Sequence, residues 1–126
     1  MPLTVTVKQT GEGTYTVSPV GSIDAQTHTI LGTEIGTILD KKASHIIFDM
    51  KDVRYVSSAG ISVVLTAEKA LKLAGGSALI VHLQPQIRKV FDIVQALPPE
   101  QIFSSVQEMD QYLKEIQRKV KEGEME

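Results

Sequence analysis

After an opening pair of alternating segments, short apolar runs trade places with longer stretches of helical periodicity, and that order leaves few folds open. Leu3, Val5 and Val7 lie on one side of the first segment, with Thr4, Thr6 and Lys8 on the other. This is the period-2 pattern of a strand with one buried face. Thr10-Gly11-Glu12-Gly13 reads as a turn, and beyond it Tyr15 and Val17 alternate with Thr14, Thr16 and Ser18. A short glycine-containing connection between two such runs predicts a β-hairpin. Pro19, which cannot donate to a ladder, suits the end or the edge of the second strand.

Gly21-Ser22-Ile23-Asp24 closes that strand, and Leu31, Ile35 and Ile38 then recur at helical spacing within a helix expected from about Ala25 to Lys41. His45 to Met50 is almost wholly apolar, which predicts a strand covered on both faces. A helix from Ser57 to Ala74 stops at Gly75-Gly76, and Ser77 to Leu83 reads as a second covered strand. Pro85 opens a helix with Ile87, Val90, Phe91 and Val94 on one face, and Pro98-Pro99 breaks it. A brief strand is expected near Gln101-Ile102-Phe103. The last helix keeps Val106, Met109, Leu113, Ile116 and Val120 in register, and the charged residues from Lys119 to Glu126 are expected to fray. The order ββαβαβαβα in 126 residues predicts one α/β domain with about four helices. Its mixed β-sheet would begin with an antiparallel hairpin and continue with parallel strands joined by right-handed crossovers.

Several chemistries are closed to such a chain. It has no cysteine, so disulfides, thiolate metal sites and cysteine nucleophiles are excluded. His28, His45 and His82 lie far apart without metal-ligand spacing, so neither a metal nor a cofactor is expected. A formal net charge of -2 gives no footprint for nucleic acid. No run approaches the ~20 apolar residues of a membrane span, and the start lacks the features of a secretory signal; a cytoplasmic location is expected. Glycine-rich phosphate cradles and a GxSxG elbow are missing too. Gly32-Thr33-Glu34-Ile35-Gly36 has small-xxx-small spacing, for which close helix packing is the expected explanation.

What remains is polar residues at strand ends, where open α/β sheets place their sites. His45 and His82 fall in the apolar strands and are expected to be satisfied there. Asp24, between a strand and a helix, is expected to be an N-cap. Asp49 sits inside an apolar run and must be paired, protonated or near the strand's open end, with Lys51 a nearby partner in sequence. The strongest constellation is Tyr55-Val56-Ser57-Ser58-Ala59-Gly60-Ile61, in which a strand and short loop deliver two serines to the first turn of a helix. The first N–H groups of a helix have no intrahelical acceptor, and the dipole places about half a positive charge there. A phosphate on such a serine would be welcome and would change how a partner docks. Plain N-capping, worth ~1 kcal/mol, accounts for the same residues equally well.

From about Leu3 to Leu113 the chain resembles the STAS domain family, the anti-sigma-factor antagonists of bacterial partner-switching systems. Gly21-Ser22-Ile23-Asp24 is similar to the family's Gly-x-hydrophobic-Asp, and Ile46-Ile47-Phe48-Asp49-Met50 to its strand ending in Asp-Leu. Ser57-Ser58-Ala59-Gly60-Ile61 resembles the Asp-Ser-(Ser/Thr)-Gly-Leu element that opens the second helix. The resemblance implies a STAS domain over residues 3–113, with 114–126 as the end of the last helix and a charged tail. It also implies a non-enzymatic antagonist that binds an anti-sigma-factor serine kinase, is released by phosphorylation, and is restored by a phosphatase. With Gly60 aligned, the usual acceptor is Ala59 and the usual Asp is Ser57, so Ser58 and then Ser57 become the candidate acceptors. Asp24, Ser57, Ser58, Ala59, Gly60 and Ile61 form the expected docking surface. The chain is expected to be a monomer or weak dimer, and the alternative is a non-phosphorylated scaffold or self-associating module of a sensory complex. A hydrolase built on Asp24, Asp49 and Ser58 is a distant third, for want of a placed base.

Overall fold

The computed structural model describes residues 2–96 and 106–124. The hairpin forms as the alternation predicts: β1 (Leu3–Gly11) pairs antiparallel with β2 (Thr14–Ile23), Leu3 opposite Gly21 and Lys8 opposite Thr16. β2 is long enough to carry two partners end to end on its other edge. Thr14 to Val17 pairs in parallel with β3 (His45–Asp49), and Gly21 to Ile23 pairs in parallel with β4 (Val53–Val56). β5 (Ser77–Val81) lies parallel to β3 on the far side, giving the order β1-β2-β3-β5 with β4 beside β2.

β4 is an addition to the expected order. Met50 and the Lys51-Asp52 turn break the chain after β3, and Val53 N–H bonds back to Met50 carbonyl, so a second short strand follows the expected one. The strand expected near Gln101-Ile102-Phe103 and the break at Pro98-Pro99 lie outside the described residues.

Helices α1 (His28–Asp40) and α2 (Ser58–Leu73) pack side by side on the sheet. α3 (Pro85–Ala96) and α4 (Val106–Lys121) pack on each other beside β4. Ile23, Leu31, Ile46, Phe48, Val64, Ile87 and Leu113 are fully buried in one continuous core. The sheet is less enclosed than the apolar runs suggest. Ile47 is half-buried and Leu79, opposite it on β5, is 57% exposed, so the face these two share is left partly open.

Both strand histidines are accordingly exposed instead of core residues. His45 Nδ1 meets Ser77 Oγ at 2.8 Å at the starts of β3 and β5, and His82 sits just past β5 with a left-handed φ of 59°. The expected fraying is also corrected as far as Glu124, residues 125–126 lying outside the described residues. α4 runs to Lys121, Gly123 takes φ 79°, and the Gly123 and Glu124 amides bond back to Val120 and Lys119 carbonyls. This is the glycine-dependent helix stop. Arg118 reaches Glu115, Glu122 and Glu124 across it, exposed pairs that add little.

A helix packed against the outer edge of β4 has to answer that strand's backbone groups, and side-chain amides do so. Gln86 Nε2 donates to Arg54 carbonyl at 3.2 Å. Gln117 accepts from Val56 N–H at 3.0 Å and donates to Val56 carbonyl at 2.7 Å. Gln117 is 3% exposed and acts as one more rung of the sheet, closing an edge that would otherwise be open.

Candidate functional site

The C-terminal ends of β2 and β4 lie side by side; β4 leads into the α2 start, and β2 into the turn before α1. Ser57 is its N-cap: extended in backbone, 4% exposed, with Oγ accepting from Gly60 N–H at 3.4 Å. Its own N–H donates to Ile23 carbonyl at 2.9 Å, which ties the helix start to the end of β2. Ser58 is the first helical residue and is half-buried. Its hydroxyl has no hydrogen-bond partner among the described residues. The two serines therefore differ: one is committed to capping, and the other is open to solvent.

Asp24 is not the N-cap of α1. Its Oδ1 accepts from the N–H groups of Gln26 at 2.9 Å and Thr27 at 3.0 Å, closing an intervening turn, and α1 starts three residues later than expected with Thr27 as cap. The buried Thr27 hydroxyl accepts from Asp24 N–H and donates to Ser22 carbonyl at 2.7 Å, so the turn is fixed from both sides. Burial raises the Asp24 carboxyl, but the bonds from Gln26 and Thr27 outweigh it and hold the group below its ordinary 3.8. A carboxyl lowered on folding stabilises above its unfolded pKa, and that contribution is lost as pH falls through the folded value. Urea melts of Asp24→Asn should thus show a deficit at pH 7 that closes on acidification below 3.8. Asp24→Ala should cost more at pH 7, ~1–2 kcal/mol, by also losing the acceptor. A deficit for the Asn variant that stays undiminished as pH falls below 3.8 would contradict this assignment.

The structure does not bring Asp49 to this place. Phe48 is opposite Val17, so Asp49 lies about six residues back along β2 from Asp24, roughly 20 Å at ~3.3 Å per residue. Burial raises its carboxyl, while His82 Nδ1 at 3.1 Å, Lys51 N–H at 3.2 Å and the Lys51 charge bring it below the ordinary value. The Asp24–Asp49–Ser58 cluster needed for a hydrolase does not exist, and no histidine among the described residues hydrogen-bonds Ser57 or Ser58. Ile61, expected on the docking surface, is 2% exposed in the core. Gly60 is buried beneath the junction, where it shapes the helix start without facing a partner.

One site residue was missed. Asp110, in the chain's last helix, places Oδ1 2.9 Å from Ser58 N–H. Burial raises the Tyr55 hydroxyl's pKa, and the charges of Asp110 and Asp24 raise it further, which puts both carboxylates around the residue leading into the serines. The sequence did carry a signal. Asp110 and Gln117 flank the apolar stripe of α4, and polar groups beside a core face need partners.

Beside Ala59 a groove of about 460 Å³ runs between α1 and α2, lined by His28, Gly32, Gly36, Ala59, Ser62 and Thr66 among others. Gly32 and Gly36 do not serve close packing: a Cβ on either meets nothing within 4 Å. Alanine at each should therefore stabilise the domain by ~0.5–1 kcal/mol through helix propensity alone, read as a higher urea midpoint. A loss would mean that the groove is closed in solution.

Fold and site together define a small α/β domain with a mixed sheet, whose polar constellation sits at a strand–helix junction instead of in an enclosed pocket. The chain belongs to the STAS domain family, whose pattern it matches over residues 5–109. It is similar to the anti-sigma-B factor antagonist of Bacillus subtilis, 31% identical over 93 residues, covering 74% of this chain and 84% of that one. It is also similar to BtrV of Bordetella bronchiseptica, named as a candidate anti-sigma factor antagonist, 35% identical over 63 residues. That match spans 50% of this chain and only 54% of BtrV. Among solved structures, the unphosphorylated form of the anti-sigma factor antagonist SpoIIAA superposes with a TM-score of 0.62 at 21% identity, covering 71% of this chain and 82% of that one. Its phosphorylated form gives 0.63 at the same identity, covering 72% and 83%. No described helix is long and apolar enough to cross a membrane.

Proposed function

We propose that this chain is an anti-sigma-factor antagonist, a binding module and not an enzyme. Its α2 start, with Asp24, Ser57, Ser58 and Ala59, docks a serine-kinase anti-sigma factor. The observation that carries the reading is the division of labour between the serines: Ser57 Oγ is held by Gly60 N–H, while the Ser58 hydroxyl stands open at the first helical position. Relatives named as anti-sigma factor antagonists, and SpoIIAA solved with and without phosphate, support it. In the switching step the γ-phosphoryl of ATP passes to Ser58 Oγ. The bond to the β-phosphate oxygen breaks, ADP leaves and the hydroxyl proton is lost to solvent. A phosphatase reverses the state by hydrolysis.

The test is incubation with the cognate kinase and ATP, followed by mass spectrometry. One added phosphate on wild type and Ser57→Ala, and none on Ser58→Ala, is the expected pattern. A tight kinase complex in which Ser58 stays unmodified would overturn the switch while leaving the docking role.

A further inference from the structure

We propose that Asp110 is a positioning residue that latches α4 onto the α2 start, and that a phosphate on Ser58 releases it. The C-terminal helix then reports the state of the serine. This rests on Ser58 being the residue that is modified. The orphan N–H of Ser58, at the positive end of the α2 dipole, is already taken by the Asp110 carboxylate at 2.9 Å. One of the donors that could meet a phosphate at this helix start is therefore already held by a side chain 52 residues away.

A phosphate on Ser58 Oγ would sit on the residue whose N–H holds Asp110. It would bring about -1.5 to -2 charge and three acceptor oxygens that compete for the same donor. Asp24, at the neighbouring strand end, adds a second carboxylate around Tyr55. Among the described residues no lysine, arginine or histidine side chain forms a salt bridge with Asp110 or Asp24. The basic residues of this region, Arg54, Lys114, Arg118 and Lys121, instead line a groove of about 540 Å³ between β4 and α4. α4 has another polar attachment to the junction in Gln117 on Val56, two turns further along. Removing the Asp110 contact and replacing it with repulsion thus acts on one of the polar points that dock the helix. Binding or loss of α4 is a two-state element that a charge at Ser58 can bias.

Hydrogen exchange on the full chain tests this, with phosphoserine introduced at position 58 during synthesis so that no kinase is needed. Amides 111–121 should exchange at least ~10-fold faster than in the unmodified protein, while β1 and β2 keep their protection as internal proof of folding. Asp110→Asn keeps an acceptor for Ser58 N–H without the charge. It should leave α4 protected on its own and suppress most of the phosphate effect. Unchanged or slower exchange in α4, or an equal increase in the Asp110→Asn background, would overturn the latch. Because the phosphate is supplied chemically, a kinase that ignores Ser58 would sink the switch proposed above without touching this result.

Discussion

Gly60→Ala should lower the stability of the domain by about 3 kcal/mol, although alanine is the better helix former by ~1 kcal/mol. A Cβ at this position would lie 2.7 Å from Ile23 carbonyl oxygen and 2.8 Å from the Cγ2 atoms of Ile23 and Val56. The side-chain methyls could shift by a rotamer. The carbonyl cannot, because it accepts the Ser57 N–H that ties β2 to the α2 start. Relief would require the helix to lift from the sheet, breaking that bond and loosening the Ser57 cap. The clash therefore wins over propensity, by a margin that should lower the melting temperature by roughly 10 °C in a domain of this size. Urea unfolding should show a lower midpoint at an unchanged slope. A loss below ~1 kcal/mol, no larger than the propensity difference, would mean that the junction yields, and that Gly60 does not set the close approach of helix and sheet. The open positions Gly32 and Gly36 supply the internal control, since the same substitution there has no atom to meet.

Much of this architecture was legible because its determinants are local. The period-2 alternation of Leu3, Val5 and Val7 fixed the hairpin, and Ser57 before an apolar-periodic run fixed the α2 start to within one residue. What was not legible depends on neighbours distant in sequence. Val53-Arg54-Tyr55-Val56 is a strand because the second half of β2 offers it a partner and Gln86 and Gln117 answer its outer edge. Four residues with a charge among them show no period of their own. The apolar composition of β5 suggested cover on both faces, yet composition cannot say whether a helix is laid over each face, and Leu79 is exposed.

The site divides in the same way. The serines announced themselves through helix-start chemistry, and Asp24 through its place between strand and helix, although its carboxylate closes a turn instead of capping α1. Asp49 was grouped with them because it too ends a strand. Only the stagger of β3 and β4 along β2 shows that two strand ends in one sheet can lie far apart. Asp110 was invisible for the converse reason. Its contact with Ser58 spans 52 residues and depends on how α4 crosses the junction. Helix periodicity shows which residues border the core, not what they meet.

Gln117→Glu should be the most damaging single-group change available in α4, costing about 3–4 kcal/mol at neutral pH. The native amide is a donor to Val56 carbonyl at 2.7 Å, a donor to Leu113 carbonyl at 3.1 Å and an acceptor from Val56 N–H. A carboxylate keeps only the last of these and turns an oxygen toward two carbonyls, in a position 3% exposed. Burial and those carbonyls favour the neutral acid, so the introduced group has its folded pKa raised above the unfolded value of about 4.3. The penalty is then absent below that unfolded value, where both states are protonated, and grows as pH rises toward the folded pKa. Once protonated, the introduced carboxyl can again donate to Val56 carbonyl, so the acid form should approach wild-type stability. Gln117→Met separates charge from hydrogen bonding: similar in volume, it leaves the Val56 groups unanswered and should cost ~2–3 kcal/mol with no comparable pH dependence. Urea titrations of wild type and the two variants at pH ~4 and ~7, on either side of the expected titration, decide the matter. Equal losses for the two variants at neutral pH, or a deficit of the acidic variant that does not shrink in acid, would mean that the edge of β4 is wet and α4 is not sealed onto it.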